Sequence, residues 1–522
     1  MSLMKLPDEL LTEIAKYFTR GLPDPPISRY YDPLPDDLFS GPGQDLHAYN
    51  PRQCLVSLAV TNRRLNAIAT GLLYQTIRIR DLSTLYAVTL TLLEAPHLAS
   101  HVREVFLAAD LTLPANCHDE LEKNAMENLI RLLGIDDDIY NTFDSAVDPF
   151  PDLGKVFIDA VHKHIGDLCF GPFEDDNHYE DSDLEGIAEA TCALLLLFTP
   201  NVVNLQLALP NPRLHKYPLL TSVLASQAQP IALPRLERLR LISNLPSVDF
   251  PEPPQNLPQD AMVTRAIKHV EVSGASFLDA NVLVKDAWAH IETLYMESSF
   301  FSGAWLYALC KDGGAPRLKH IDIEAPNWYY IEDAKIKNMD GPGINEALSF
   351  CTSRLQKLRL QFIDTPTVEP HLGPQGKLTC LSSMEVLSDL EIEARYLFDS
   401  LEDMQSANIC DRLSPSLRRL TLYEQHYMKT DPWWEGEPDG GWGSPIGPDN
   451  LSYEDLLKRA LSQLAFESAD RLPRLESVTI TRRVFAYLEP WEVNPELYKR
   501  VHETSCYRGR YEYLQWTFTP QR

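Results

Sequence analysis

Leu236, Leu239 and Leu241, separated by Glu237, Arg238 and Arg240, set out a pattern that constrains this chain more than any other feature. The same spacing of large apolar residues returns at Val202/Leu205/Leu207, Ile267/Val270/Val272, Ile291/Leu294/Met296, Leu318/Ile321/Ile323, Leu355/Leu358/Leu360, Leu387/Leu390/Ile392, Leu417/Leu420/Leu422 and Leu475/Val478/Ile480. Two earlier copies, Tyr74/Ile77/Ile79 and Val102/Val105/Leu107, stand before a long interruption. Several copies follow turn-like pairs: Pro234-Arg235, Pro316-Arg317, Pro415-Ser416 and Pro473-Arg474. A unit of roughly 30 residues loses on the order of 1 to 2 kcal/mol of conformational entropy per ordered residue. Three buried aliphatics contribute only about 1.5 to 3 kcal/mol each. One unit therefore cannot fold alone, and stacking in series is what makes the apolar rows one core.

A triplet of this spacing is the strand signature of a leucine-rich repeat, so the fold expected is α/β, an irregular leucine-rich-repeat solenoid. Its body is expected over residues 81–500. Between about 108 and 200 the repeat is masked by an acidic insertion, with helical stretches near Glu120 to Leu133, Lys155 to Leu168 and Leu184 to Phe198. Tyr453 to Phe466 has helical spacing, and residues 501–522 are read as a C-terminal capping strand in which Leu514, Trp516 and Phe518 share one side. Such a cap keeps the last repeat's apolar surface from water.

Composition narrows the partners. A formal net charge of -27 argues against nucleic acid and anionic membranes, which need clustered Lys and Arg, and makes a basic protein partner the natural expectation. Nine scattered cysteines without a C-x-x-C pair read as reduced thiols of an intracellular protein, cytoplasmic, nuclear or both. The N-terminus lacks the apolar core of a signal peptide, and the apolar run near Ala193 to Phe198 is too short to span a bilayer.

At the front of the chain, Leu6-Pro7-Asp8-Glu9 reads as a helix start, with Leu10, Leu11, Ile14 and Phe18 on one face. A second helix is expected to open at Pro51 and carry Leu55, Leu58 and Val60. Asn62 is the expected N-cap of a third, holding Leu65, Ile68, Ala69, Leu72 and Leu73. Taken in order, Leu6-Pro7-Asp8-Glu9-Leu10-Leu11, Ile14, Leu55, Leu58, Val60-Thr61-Asn62-Arg63-Arg64-Leu65 and Ile68-Ala69 resemble an F-box. Together with the triplets they make the chain similar to the F-box/leucine-rich-repeat proteins.

The resemblance implies a small three-helix F-box over residues 1–80, here with a Pro/Gly-rich insertion at 19–50. It implies a partner, the Skp-type adaptor, and through it a cullin, with Leu6, Pro7, Leu10, Leu11, Ile14, Leu55 and Leu58 as the adaptor-binding residues. The function implied is that of the substrate-recognition subunit of a Skp-cullin-F-box ubiquitin ligase, not itself an enzyme and without a cofactor. The alternative is a non-catalytic scaffold that holds its partner without delivering it to ubiquitination. Lengthening the connection between the first two helices from roughly four to roughly thirty residues adds only about 2 kcal/mol of closure entropy, so they can still meet. From Arg52 to Arg80 the chain has five arginines and no acid, read either as a surface for an acidic partner or as solvation of a helix.

Within each triplet strand, residues alternating with the aliphatics point to the open face of the sheet. The expected protein-substrate surface there is Arg238, Arg240, His269, Glu271, Tyr295, His320, Asp322, Lys357, Arg359 and Arg419, beside Thr293, Asp389, Glu391 and Thr421. The bland reading is that neighbours such as Arg359 and Glu391, or Arg240 and Glu271, simply pair across strands. Trp433, Trp434 and Trp442 mark a rim or a packed lid between Asp431 and Asn450. Neither Asp136-Asp137-Asp138 nor the acids from Glu174 to Glu185 fit a calcium loop, His162 and His164 point to different sides of a helix, and no metal is expected. There is no G-x-S-x-G, phosphate loop or H-E-x-x-H.

Overall fold

The structure is a computed structural model. It describes residues 6–20, 51–79, 82–107, 191–209, 233–243, 267–273, 276–277, 288–297, 299–311, 314–325, 341–362, 377–398, 401–424, 453–483, 498–508 and 511–520. The expected helices near Glu120 and Lys155, residues 21–50 of the insertion expected at 19–50, Asp136-Asp137-Asp138, the acidic run, His162, His164 and the Trp433, Trp434 and Trp442 loop lie outside these residues, while residues 19 and 20 still belong to the first helix. The fold is mixed α/β, with mostly parallel strands in open sheets. The chain forms two compact units, Met1–Leu245 with Asp260–Ile267, and Pro246–Gln259 with Lys268–Arg522.

In the first unit, β1 (Thr76–Ile79), β2 (Glu104–Leu107), β3 (Asn204–Leu209) and β4 (Arg238–Ser243) lie side by side in chain order, all parallel. In the second, β5 (His269–Ser273), β7 (Thr293–Glu297), β9 (His320–Ala325), β10 (Lys357–Phe362), β11 (Asp389–Glu393), β12 (Arg419–Glu424) and β13 (Ser477–Arg483) do the same. Two short strands, β6 (Ser276–Phe277) and β8 (Phe300–Phe301), pair separately.

Register puts the aliphatics in rows. Val105 lies beside Leu205 and Leu205 beside Leu239; within the second unit Val270, Leu294, Ile321, Leu358, Leu390, Leu420 and Val478 form a row of their own. From Val102 to Ile480 every member of the repeated triplets is buried; in the earliest copy Ile77 and Ile79 are buried and Tyr74 is half-buried.

The residues before each strand repeat their hydrogen bonding as well. Where a proline precedes the triplet, its first aliphatic donates its N–H three residues back, Leu236 to Leu233, Leu318 to Ala315, Leu417 to Ser414 and Leu475 to Leu472, whereas Leu355 donates four back, to Cys351. This places Pro234, Pro316, Pro415 and Pro473 second in the turn, where a fixed φ costs nothing. The carbonyl just ahead of the preceding strand then accepts two successive N–H groups: Glu292 from Lys319 and His320 at 2.9 and 3.0 Å, Lys319 from Gln356 and Lys357 at 2.8 and 3.1 Å, Ser388 from Arg418 and Arg419 at 2.8 and 2.9 Å.

Between strands the chain returns by unlike segments: the helices Gly303–Cys310 and Gly341–Ser349, the 3-10 turns Thr379–Ser383 and Ile409–Arg412, and the long helix Tyr453–Arg471. The C-terminal end is a hairpin and not the single strand expected. β14 (Tyr498–Arg508) and β15 (Tyr511–Pro520) are antiparallel, and β15 adds antiparallel to β13, Val478 beside Phe518. Phe518 is buried. The partner strand is recognisable from Gly509-Arg510, a pair of the kind that joins two-residue hairpins.

Candidate functional site

Three helices open the first unit: α1 (Asp8–Arg20), α2 (Pro51–Ala59) and α3 (Arg63–Leu73). The starts agree with local chemistry. Pro51 begins α2, and the Asn62 side chain accepts from the Leu65 N–H at 3.0 Å. Ala15, Leu55 and Leu72 form the centre of the bundle, with Leu58, Ile68 and Leu73 against them. Arg64 ties α3 to the chain start, donating to Asp8 at 2.5 Å and to the Leu6 carbonyl at 2.6 Å. This arginine of the basic stretch therefore makes its contacts within the head.

The seven residues expected to bind an adaptor divide. Leu11 and Leu55 are each 3% exposed, because they supply the core that a bundle this small needs for itself. Leu6 and Leu58 are half-buried and Pro7 is exposed. Leu10 and Ile14, one turn apart on α1, are 51% and 39% exposed. On and after α2, Val56 and Val60 are also exposed, Val60 at 80%.

The second candidate surface is the strand face away from the aliphatic core. In the first unit Arg238 is exposed, whereas Arg240 is buried and donates to the Gln206 side chain at 3.1 Å. In the second unit register aligns His269, Thr293, His320, Lys357, Asp389 and Arg419 in one row, and Glu271, Tyr295, Asp322, Arg359, Glu391 and Thr421 in the next. Arg359 dominates. Its Nη1 is 2.9 Å from Asp322, its Nη2 2.7 Å from both Glu324 and Gln361, and its Nε 3.2 Å from Glu391 and from the Tyr423 hydroxyl. Tyr423 in turn donates to Glu391. Lys357 adds a longer contact to Asp322 at 3.7 Å, Arg419 pairs with Asp389, and Thr293 lies 3.3 Å from the His320 Nδ1.

Burial sets the electrostatics of this face. It pushes the Asp322 carboxyl up, against the pull of Arg359. The Tyr295 phenol is pushed far up by burial and by Glu297 and Glu324. Burial works against the Arg359 charge, but Asp322, Glu391 and Glu324 outweigh it and hold the guanidinium protonated. His320 is lowered by burial and by Lys357, so at neutral pH it is held uncharged.

A further row lies one step beyond the expected positions, where Glu297, Glu324, Gln361, Tyr423 and Thr481 are all buried. The signal was available, since alternation puts the residue after each last aliphatic on the same face. Exposure was not available, because it depends on what covers the strand ends.

The arrangement is a mixed-charge strip whose central groups pair with one another across strands. Among the described residues no group of three or more His, Cys, Asp or Glu side chains is placed to hold a metal ion, and no helix is long and apolar enough to cross a membrane. No known family model and no curated protein matches the chain.

Proposed function

We propose that this protein is the substrate-recognition subunit of a Skp-cullin-F-box ubiquitin ligase, with α1 to α3 as an F-box and the parallel strands as an irregular leucine-rich-repeat solenoid that selects a protein client. It performs no chemistry of its own and acts by bringing the client to the ligase. The observation that carries this reading is the pair Leu10 and Ile14, left in water on a helix that buries Leu11 and Ala15. Covering two such side chains with a partner contributes about 1.5 to 3 kcal/mol each. Client selection falls to the polar strand face, and the acidic balance of the chain supports a basic client.

The test is the double variant Leu10→Asp, Ile14→Asp. Both residues are exposed, so the variant is expected to melt like the parent and to lose co-purification with the Skp-type adaptor. Undiminished adaptor binding overturns the proposal. Depletion of the protein in cells should lengthen the lifetime of the proteins that bind the strand face; unchanged lifetimes turn the reading to a scaffold.

A further inference from the structure

The hairpin that closes the second unit leaves one long strand at its margin. β14 (Tyr498–Arg508) pairs with β15 along one side, and among the described residues no strand pairs with its other side. In an antiparallel ladder, residues that exchange both bonds with the neighbour alternate with residues whose N–H and C=O point away. A strand of 11 residues therefore turns about five of them outward, a row of donors and acceptors able to take one more strand. The register with β15 is continuous from His502 to Arg508, with its one shift between Arg500 and His502, so the row is regular over most of its length.

Charge decides what the added strand can be. β14 carries Lys499, Arg500 and Arg508 against a single acid, Glu503, in a chain whose formal net charge is -27. Opposite charges facing each other across paired strands stabilise the pair, and like charges weaken it. A second copy of β14 brings the same excess of cations and is repelled, which is how edge strands commonly avoid pairing with their own kind. An acidic strand meets the opposite sign along this edge, while the acidic remainder of the chain repels it everywhere else.

We propose that β14 is a docking edge, at which an extended acidic segment of another protein adds to the sheet as one further strand. Main-chain hydrogen bonds supply the affinity, and the cations of β14 choose the partner. The edge uses neither α1 to α3 nor the strip around Arg359, so it stands independently of adaptor binding.

The probe is a fluorescein-labelled peptide of about ten residues, the length of the strand, alternating threonine and glutamate. N-methylation at every second residue leaves it one pairing edge and keeps it from stacking on itself. Added to the full-length chain at low salt, it is expected to raise the anisotropy saturably and to slow amide hydrogen exchange within Tyr498–Arg508. The same peptide with lysine for glutamate should bind at least about tenfold more weakly, against the pull of the chain's net charge. The glutamate peptide methylated at every residue should not bind, since it has no N–H to donate. In the triple variant Lys499→Glu, Arg500→Glu, Arg508→Glu the preference should pass to the lysine peptide, with protection still confined to Tyr498–Arg508. Should that variant not fold, the peptides on the parent chain decide alone. Equal binding of the two peptides, binding of the fully methylated one, protection elsewhere than Tyr498–Arg508, or no binding overturns the proposal. Protection of Tyr498–Arg508 in the chain alone as its concentration rises makes the edge an interface between copies and overturns it too.

Discussion

Arg359 faces carboxylates from both flanking strands, Asp322 and Glu324 on one side and Glu391 on the other, with 8% of its side chain exposed. Removing the guanidinium leaves buried negative charge without its counterion, which typically costs about 3 to 5 kcal/mol. Arg359→Met is expected to lower stability by that order in urea denaturation at mildly alkaline pH. The deficit should shrink in acid. Burial already raises the Asp322 pKa above its ordinary 3.8, so the folded state takes up a proton as pH falls through that raised value. Loss of the arginine raises it further, and the variant regains ground on the parent over that window. At this scale the sequence was only partly legible. Alternation identified Arg359, Asp322 and Glu391 as neighbours on one face, and the cross-strand pairing weighed for Arg359 is what the structure has. Glu324 and Tyr423 escaped because their burial comes from contacts far away in sequence. The division of the adaptor candidates was hidden for the same reason, since helical spacing puts Leu10 and Leu11 on one broad face and does not say which turns inward.

Element by element, the features that could be read are those governed by local chemistry. Asn62 caps because its side chain reaches an N–H three residues on, Pro51 starts a helix that needs no N–H from it, and the turn prolines precede strands because their φ suits the turn. The returns between strands were less legible: 3-10 turns and short helices differ little in sequence, and which forms depends on the neighbour it packs against. One return contains a tight constraint. After the helix Gly303–Cys310 the Ala315 N–H donates back to Leu309 at 2.8 Å, drawing the chain across the helix end. A Cβ at Gly314 would lie 2.3 Å from the Ala308 carbonyl oxygen and 2.4 Å from that of Leu309. Both obstacles are backbone and cannot swing aside. Gly314→Ala should therefore destabilise by about 1 to 3 kcal/mol, an overpacking cost measurable as a lower thermal midpoint, while an alanine at the exposed neighbour Arg317 should be nearly silent.

For the whole molecule, the triplets foretold strands placed side by side in chain order, since nothing shorter than a series of such units can offset its own ordering entropy. The hairpin was half foreseen, as one strand of two. It covers the last parallel strand, with Val478 to Arg483 of β13 paired along β15. A chain ending after Arg483 would leave the outer backbone groups of β13 unpaired, and open edges of this kind recruit other chains. That truncation is expected to shift the protein from a single species to aggregates in size-exclusion chromatography, at a concentration where the full chain does not aggregate. The double acceptance of N–H groups by one carbonyl has a different consequence. Arg103 takes Val203 and Asn204 at 2.7 and 3.1 Å, just as Glu292 takes Lys319 and His320, although a far longer stretch of sequence intervenes in the first case. Docking is specified by a two-residue latch and is indifferent to the cargo spliced between latches. A long return such as the one between Arg103 and Val203 leaves the strand docked in the same way, and an engineer can graft a reporter there on the same terms.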